Sequence, residues 1–197
     1  MNKFKRFLSE VGDYNKIASI DEIGRRYFAM NSFDGILTII GVLIGSYIAH
    51  VTDPKIIIST GLGASIAMGI SGTWGTYLTE DAERKKKLSD LGHLTLRNLE
   101  GTKLARAEHA ATWIVALIDG LSPFLAAFIV IIPFFLSSFI SVNSAYISSI
   151  AIAFILLALL GGFLGSISKE NVFKYSLRMV LAGVVCAGVI MLLGHNV

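Results

Sequence analysis

Five long apolar runs make up most of the chain, separated by three short polar breaks and one long charged one. The first runs from about Tyr27 to Ala49, the second from about Ile56 to Leu78, and the third from about Thr112 to Leu136. The fourth runs from about Asn143 to Ile167, and the fifth from about Phe173 to Leu193. Each reaches the roughly 20 residues that an α-helix needs to cross a bilayer. The short breaks are Thr52-Asp53-Pro54, Ser137 to Ser144, and Ser168-Lys169-Glu170-Asn171. The pattern predicts an all-α membrane protein with five transmembrane helices.

Two segments outside the spans carry helical periodicity of their own. Phe4, Phe7, Leu8, Val11, Tyr14 and Ile17 recur at helical spacing, with Lys3, Lys5, Arg6 and Lys16 elsewhere on the surface. This predicts an amphipathic anchor lying on the inner leaflet, within an N-terminal segment 1–26 that precedes a membrane domain over 27–197. Ser19 and Glu22 have capping-box spacing, so a new helix is expected to start there and run into the first span. Between the second and third spans, residues 79–109 form the long charged segment. Leu88, Leu91, Leu94 and Leu99 give it an apolar stripe, which predicts a helical continuation of the second span. Gly92 and Gly101 are the points where it is expected to bend.

Composition sharpens the class. The 197 residues are 54% hydrophobic and 16% charged, with a mean hydropathy of +0.68, whereas a soluble domain carries about a quarter charged residues. The charges also fix an expected orientation, because cytoplasmic loops are enriched in Lys and Arg. With the N-terminus inside, 16 of the 17 Lys and Arg fall in three cytoplasmic segments. These are the N-terminal segment, the 79–109 segment, and the stretch carrying Lys169, Lys174 and Arg178; only Lys55 is left outside. A multi-pass protein of the cell membrane with a cytoplasmic N-terminus is expected. The first thirty residues lack the apolar core of a cleavable signal peptide. Cys186, the single cysteine, excludes an intramolecular disulfide and reads as a small buried hydrophobe.

Ionisable residues inside a span are costly, which makes them functional candidates. Asp34 lies in the first span and Asp119 in the third, each about two turns in from the cytoplasmic side. Each is followed by glycine and an aliphatic residue, Phe33-Asp34-Gly35-Ile36 and Ile118-Asp119-Gly120-Leu121, which suggests a degenerate repeat. An acid at that depth could hold a cation and exchange it for protons. The alternative is that each Asp caps a broken helix or bonds an exposed backbone group next to its glycine. Pro123 and Pro133 would kink the third span. Met68 in the second span reads either as a soft ligand or as packing. The glycines of that span, with those at Gly41, Gly45, Gly161, Gly162 and Gly165, suit close helix packing and a dimer seam. Glu80 and Glu83 sit one turn apart, near enough to share a cation, but Arg84 and Lys87 are also within reach as ordinary ion-pair partners. No Ser-His-Asp grouping, HExxH motif or phosphate-binding glycine loop is present, so no enzyme is expected. Nor is a nucleic-acid partner. His50 and His195 fall near the outer surface.

The run Asn31-Ser32-Phe33-Asp34-Gly35-Ile36-Leu37-Thr38-Ile39-Ile40-Gly41 resembles the first-span signature of the vacuolar iron transporter family. Ile118-Asp119-Gly120-Leu121-Ser122-Pro123 resembles the third span of its short prokaryotic members, and the five-span layout matches. The resemblance covers about 31–197. It implies a homodimeric exporter of Fe(II), or Mn(II), in exchange for protons, with the metal as substrate rather than cofactor. The family's first-span carboxylate carries over onto Asp34. Its second-span methionine and glutamate read here as Gly72 and Thr76. Asp119 or Met68 would then have to compensate, giving a candidate set of Asp34, Asp119, Met68, Thr76, Glu80 and Glu83. The competing expectations are a transporter of the same fold for another cation, and a membrane scaffold that has lost the metal site.

Overall fold

A computed structural model describes residues 14–15 and 17–194. After a short helical stretch at 14–15 and 17–18, five helices follow: α1 (Ile20–Ile48), α2 (Pro54–Thr95), α3 (Lys103–Phe135), α4 (Val142–Ile167) and α5 (Val172–Gly194). All five are long and apolar enough to cross a membrane, and the described residues contain no strand. Every expected span lies within one of these helices to within a residue or two. Most of the amphipathic stripe at the N-terminus falls outside the described residues, as does His195. Of the stripe, Tyr14 packs on a small cluster of Ala18, Ile20, Ala111 and Val115.

Short polar side chains start the helices by accepting the N–H groups that a first turn leaves unpaired. Asp53 accepts from the Lys55 N–H at 2.9 Å, with Pro54 at the first helical position of α2. Thr102 accepts from Ala105 at 3.2 Å, Ser141 from Ser144 at 3.2 Å, and Asn171 from Phe173 at 3.0 Å. The start of α1 differs from the expected capping box. Ser19 sits at φ 51, outside the extended region of a usual cap, and the Asp21 N–H donates instead to Asn15 Oδ1 at 2.8 Å.

Three helix ends share one geometry. In α2, the Arg97 N–H bonds the Gly92 carbonyl and the Leu96 N–H bonds His93, with Leu96 at φ 53. The same six-to-one and five-to-two pattern closes α1 around His50 and α4 around Lys169. It is the Schellman arrangement, in which glycine is the usual left-handed residue. The 79–109 segment therefore continues α2 to Thr95, turns through 96–102 with Gly101 at φ 75, and re-enters helix at Lys103. At about 1.5 Å per residue, a helix of 42 residues far exceeds a hydrocarbon layer about 30 Å thick. Its charged C-terminal part must project from the membrane.

The chain divides into two compact units, Met1–Phe28 with Ile70–Leu121, and Ala29–Gly69 with Ser122–Val197. The second holds the larger core. Ile36, Ile39, Ile40 and Leu43 of α1 pack with Ala127, Val130, Ile131 and Phe134 of α3, and with Tyr146, Ala153 and Leu157 of α4. Within it, α4 and α5 touch backbone to backbone. A Cβ on Gly161 would lie 2.6 Å from Ser176 Cα, and one on Gly165 would lie 2.8 Å from Val172 Cα. The glycines expected to allow close packing do so here, inside one chain.

Candidate functional site

The two intramembrane acids share a sequence pattern but not an environment. Both stand in unbroken helix: α1 runs through Asp34, and α3 runs through Asp119 as well as Pro123 and Pro133. Neither acid caps a broken helix.

Asp34 belongs to the larger unit. Its neighbour Gly35 is buried against Pro123, where an added Cβ would lie 2.6 Å from the Pro123 carbonyl oxygen. A residue advances about 100° around a helix, so pinning Gly35 inward turns Asp34 outward. Asp34 is exposed, as is Thr38 one turn on, while Ile36, Ile39 and Ile40 are buried. Met68 is in the same unit. It is half-buried and packs against the hydrophobic cluster, among the partners expected of a packing methionine.

Asp119 belongs to the other unit and is only 4% exposed. Thr76 donates its hydroxyl proton to Asp119 Oδ2 at 2.6 Å. Gly72, one turn before Thr76, leaves the space this pairing needs. A Cβ there would stand 3.1 Å from Asp119 Oδ2, 3.3 Å from Gly120 Cα and 3.5 Å from the Asp119 carbonyl oxygen. Thus Gly72 and Thr76, which stand where the family resemblance leads one to expect methionine and glutamate, both lie against the third-span carboxylate. Tyr77 and Trp113 pack beside them, ring centroids 4.4 Å apart.

Glu80 is engaged by side chains other than Glu83. Its Oε1 accepts from the Tyr27 hydroxyl at 3.2 Å, and its Oε2 accepts from Arg84 Nε at 2.9 Å. Arg84 also bonds Glu108, whose Oε1 lies 2.7 Å from Lys87 Nζ. Of the two expected ion pairs, Glu80–Arg84 forms, while Lys87 turns to Glu108. Glu83 is exposed. Farther out, Asp81 beside Lys85 holds that ammonium above its usual range. The lysine side chain is largely exposed, so the pair adds little stability.

Glu108 is the residue that reading by charge overlooks. It is 1% exposed. The signal was periodic rather than chemical. Ala107, Glu108, Ala111, Thr112, Val115, Ala116 and Asp119 are all buried and fall on one face of α3, so an acid on that stripe needs a cation. Among the described residues, no group of three or more His, Cys, Asp or Glu is placed to hold a metal ion.

The model of the VIT family matches residues 90–195. An uncharacterized protein of Methanocaldococcus jannaschii is 32% identical over 169 residues, covering 84% of this chain and 86% of that protein. With its five membrane-length helices, this chain belongs to the VIT family, the vacuolar iron transporter family that its first span resembles.

Proposed function

We propose that this protein exports a divalent cation, Fe(II) or Mn(II), from the cytoplasm in exchange for protons, working as a homodimer in the cell membrane. One observation carries the reading. Asp34 sits within an apolar, membrane-length helix and yet lies on the outer surface of its unit. A carboxylate held in lipid is costly, so such a residue faces a water-filled path or another protein surface. A second copy of the chain would supply both. Asp34 is then the principal ligand and proton acceptor. Asp119 with Thr76 forms a secondary oxygen-donor station, suited to hard cations. Met68 is a ligand only if it leaves its packed position, and Glu80 only if it leaves Arg84. Glu83, free of an ion pair with Lys87, serves at most as a surface attraction for cations.

The scaffold reading draws on the engagement of Glu80 by Arg84. Against it stand two carboxylates retained inside apolar spans, a cost with no structural return for Asp34. A flux screen in proteoliposomes across Fe(II), Mn(II), Co(II), Zn(II) and Mg(II), under an imposed pH gradient, separates the readings. Export predicts gradient-dependent flux of Fe(II) or Mn(II); a scaffold predicts the rate of protein-free vesicles for every ion.

Two further outcomes follow from this arrangement. In mild detergent and in nanodiscs, the mass is expected to be that of two chains, and a clean monomer in both would count against the shared path. With the N-terminus inside, protease added to the cytoplasmic face should cut within 79–109, whose tip exposes Leu94, Leu96 and Arg97. Cleavage there from the outer face would reverse the orientation, and with it the direction of export.

A further inference from the structure

Of the five helices, α5 is the least covered by the rest of the chain: only Gly183 is buried along it. Its exposed surface is divided by chemistry. Leu177, Leu181, Val184 and Val185 form an aliphatic strip at spacings of three and four. Toward the start of the helix the same strip continues as Arg178 and Lys174, both exposed and one turn apart, with Lys169 in the link before them. Among the described residues no ion pair involves these three cations, and Glu170 is the only acid in the sequence beyond Asp119. Arg178 is nevertheless held in place. Its guanidinium carbon lies 5.4 Å from the Tyr175 ring centroid. Tyr175 is seated against α4, where a Cβ added to Gly165 would stand 3.3 Å from the Tyr175 Cβ. The first amides of α5 are already taken, because Asn171 Oδ1 accepts from Phe173 at 3.0 Å and from Lys174 at 3.3 Å. Side-chain charge, not the helix end, is what this surface offers.

The bias of cytoplasmic loops toward positive charge accounts for Lys169, which lies in the link. It does not account for a guanidinium two turns into the span. From Met179 to Leu193, the apolar part of α5 reaches only about 22 Å at 1.5 Å per residue. That is short of a hydrocarbon layer about 30 Å thick. A cation at the edge of so short a run meets the headgroups by extending its stem toward them and by thinning the bilayer beside it. We propose that Arg178 and Lys174 bind the headgroup of an anionic phospholipid, with an acyl chain lying along Leu177, Leu181 and Val185. The planar guanidinium offers a phosphate two parallel N–H donors, and the lysine adds a compact charge one turn farther out. The aliphatic strip favours a lipid over free phosphate, which would gain nothing from it. A second copy seated here about a two-fold axis would set the same cations near each other at the same depth, with no acid between them. In the orientation proposed above, this end of α5 meets the inner leaflet.

The test reads bound lipid rather than transport, so it can fail while the export reading stands. The full chain in mild detergent is given phosphatidylglycerol and phosphatidylcholine at equal concentration, and native mass spectrometry measures what each protein retains. Wild type should hold phosphatidylglycerol about tenfold better than phosphatidylcholine. Lys174→Gln combined with Arg178→Gln should weaken that hold about thirtyfold. Arg178→Lys should fall between, since it keeps the charge and loses the fork. Lys55→Gln removes an exposed cation from the opposite side of the membrane and should change nothing. Equal retention of the two lipids by wild type, or wild-type retention in the double variant, would overturn the site. Displacement of the lipid by millimolar inorganic phosphate would overturn it too, by making the ligand the free anion. Unchanged lipid retention with loss of a two-chain mass in the double variant would assign the face to a second copy instead. If the double variant does not fold, Lys174→Gln decides alone, with a loss of about fivefold expected.

Discussion

Asp34→Asn should abolish proton-driven metal flux while the protein still folds. The two side chains have nearly the same shape, and Asp34 is exposed within its unit, so the larger core does not depend on its charge. What the substitution removes is the titratable oxygen. A divalent ion gains most from an ionised carboxylate, and protonation of that group is what releases it. Loss of a group that merely orients a ligand costs about 10- to 100-fold in affinity or activity. Loss of the principal ligand should exceed that, leaving flux at the rate of empty vesicles. Asp119→Asn should do less harm, because Thr76 can bond an amide oxygen as it bonds the carboxylate. Matched protein content and an unchanged melting temperature are the controls. Wild-type flux in Asp34→Asn would leave the scaffold reading in possession.

Arg84→Ala should be the most destabilising single truncation in the smaller unit. Arg84 is 7% exposed and lies between Glu80 and Glu108. Its removal leaves the Glu108 carboxylate, 1% exposed, with Lys87 alone, which is mostly in solvent. Breaking one side of such a buried pair costs about 3–5 kcal/mol, chiefly through the charge left behind. If that is the cause, neutralising the orphan should restore stability. Arg84→Ala combined with Glu108→Gln should lose much less than the sum of the two single changes. Arg84→Lys should fall between, because an ammonium cannot offer the planar fork that reaches both acids. Denaturation in mild detergent compares the four variants with wild type. A cost under about 1 kcal/mol for Arg84→Ala would place the cluster with ordinary surface pairs.

The spans were legible because a membrane imposes one simple requirement, a long apolar run; α4 satisfies it with no charge between its ends, and α5 with Lys174 and Arg178 confined to its first two turns. The Asp-Pro start of α2 and the asparagine before α5 were equally plain, since they act within one turn. The helix ends were less so. Leucine, histidine and lysine occupy the left-handed positions that usually announce themselves as glycine, so the stop at Thr95 carried no mark. The expected bend at Gly92 became the carbonyl that closes that stop.

The candidate residues divide along the same line. Both membrane acids could be found from sequence because charge in an apolar run is conspicuous. Their opposite burial could not, because Asp-Gly-aliphatic is identical at both places and the outcome depends on what each glycine meets: Pro123 for Gly35, and the α2 backbone at Gly72 for Gly120. Pairing within one helix, as in Glu80–Arg84, follows from spacing. Pairing across helices, as in Lys87–Glu108 or Tyr27–Glu80, needs the packing first.

Coupling of metal to protons at one carboxylate is the central claim, and it is tested most directly by watching protons when only metal is driven. Sealed proteoliposomes enclosing a pH-sensitive dye are given an inward Mn(II) gradient at equal pH on both sides. Antiport predicts that the lumen becomes alkaline as metal enters, that Asp34→Asn shows neither change, and that empty vesicles show neither. Mn(II) entry through the wild-type protein with no change in luminal pH would contradict the account.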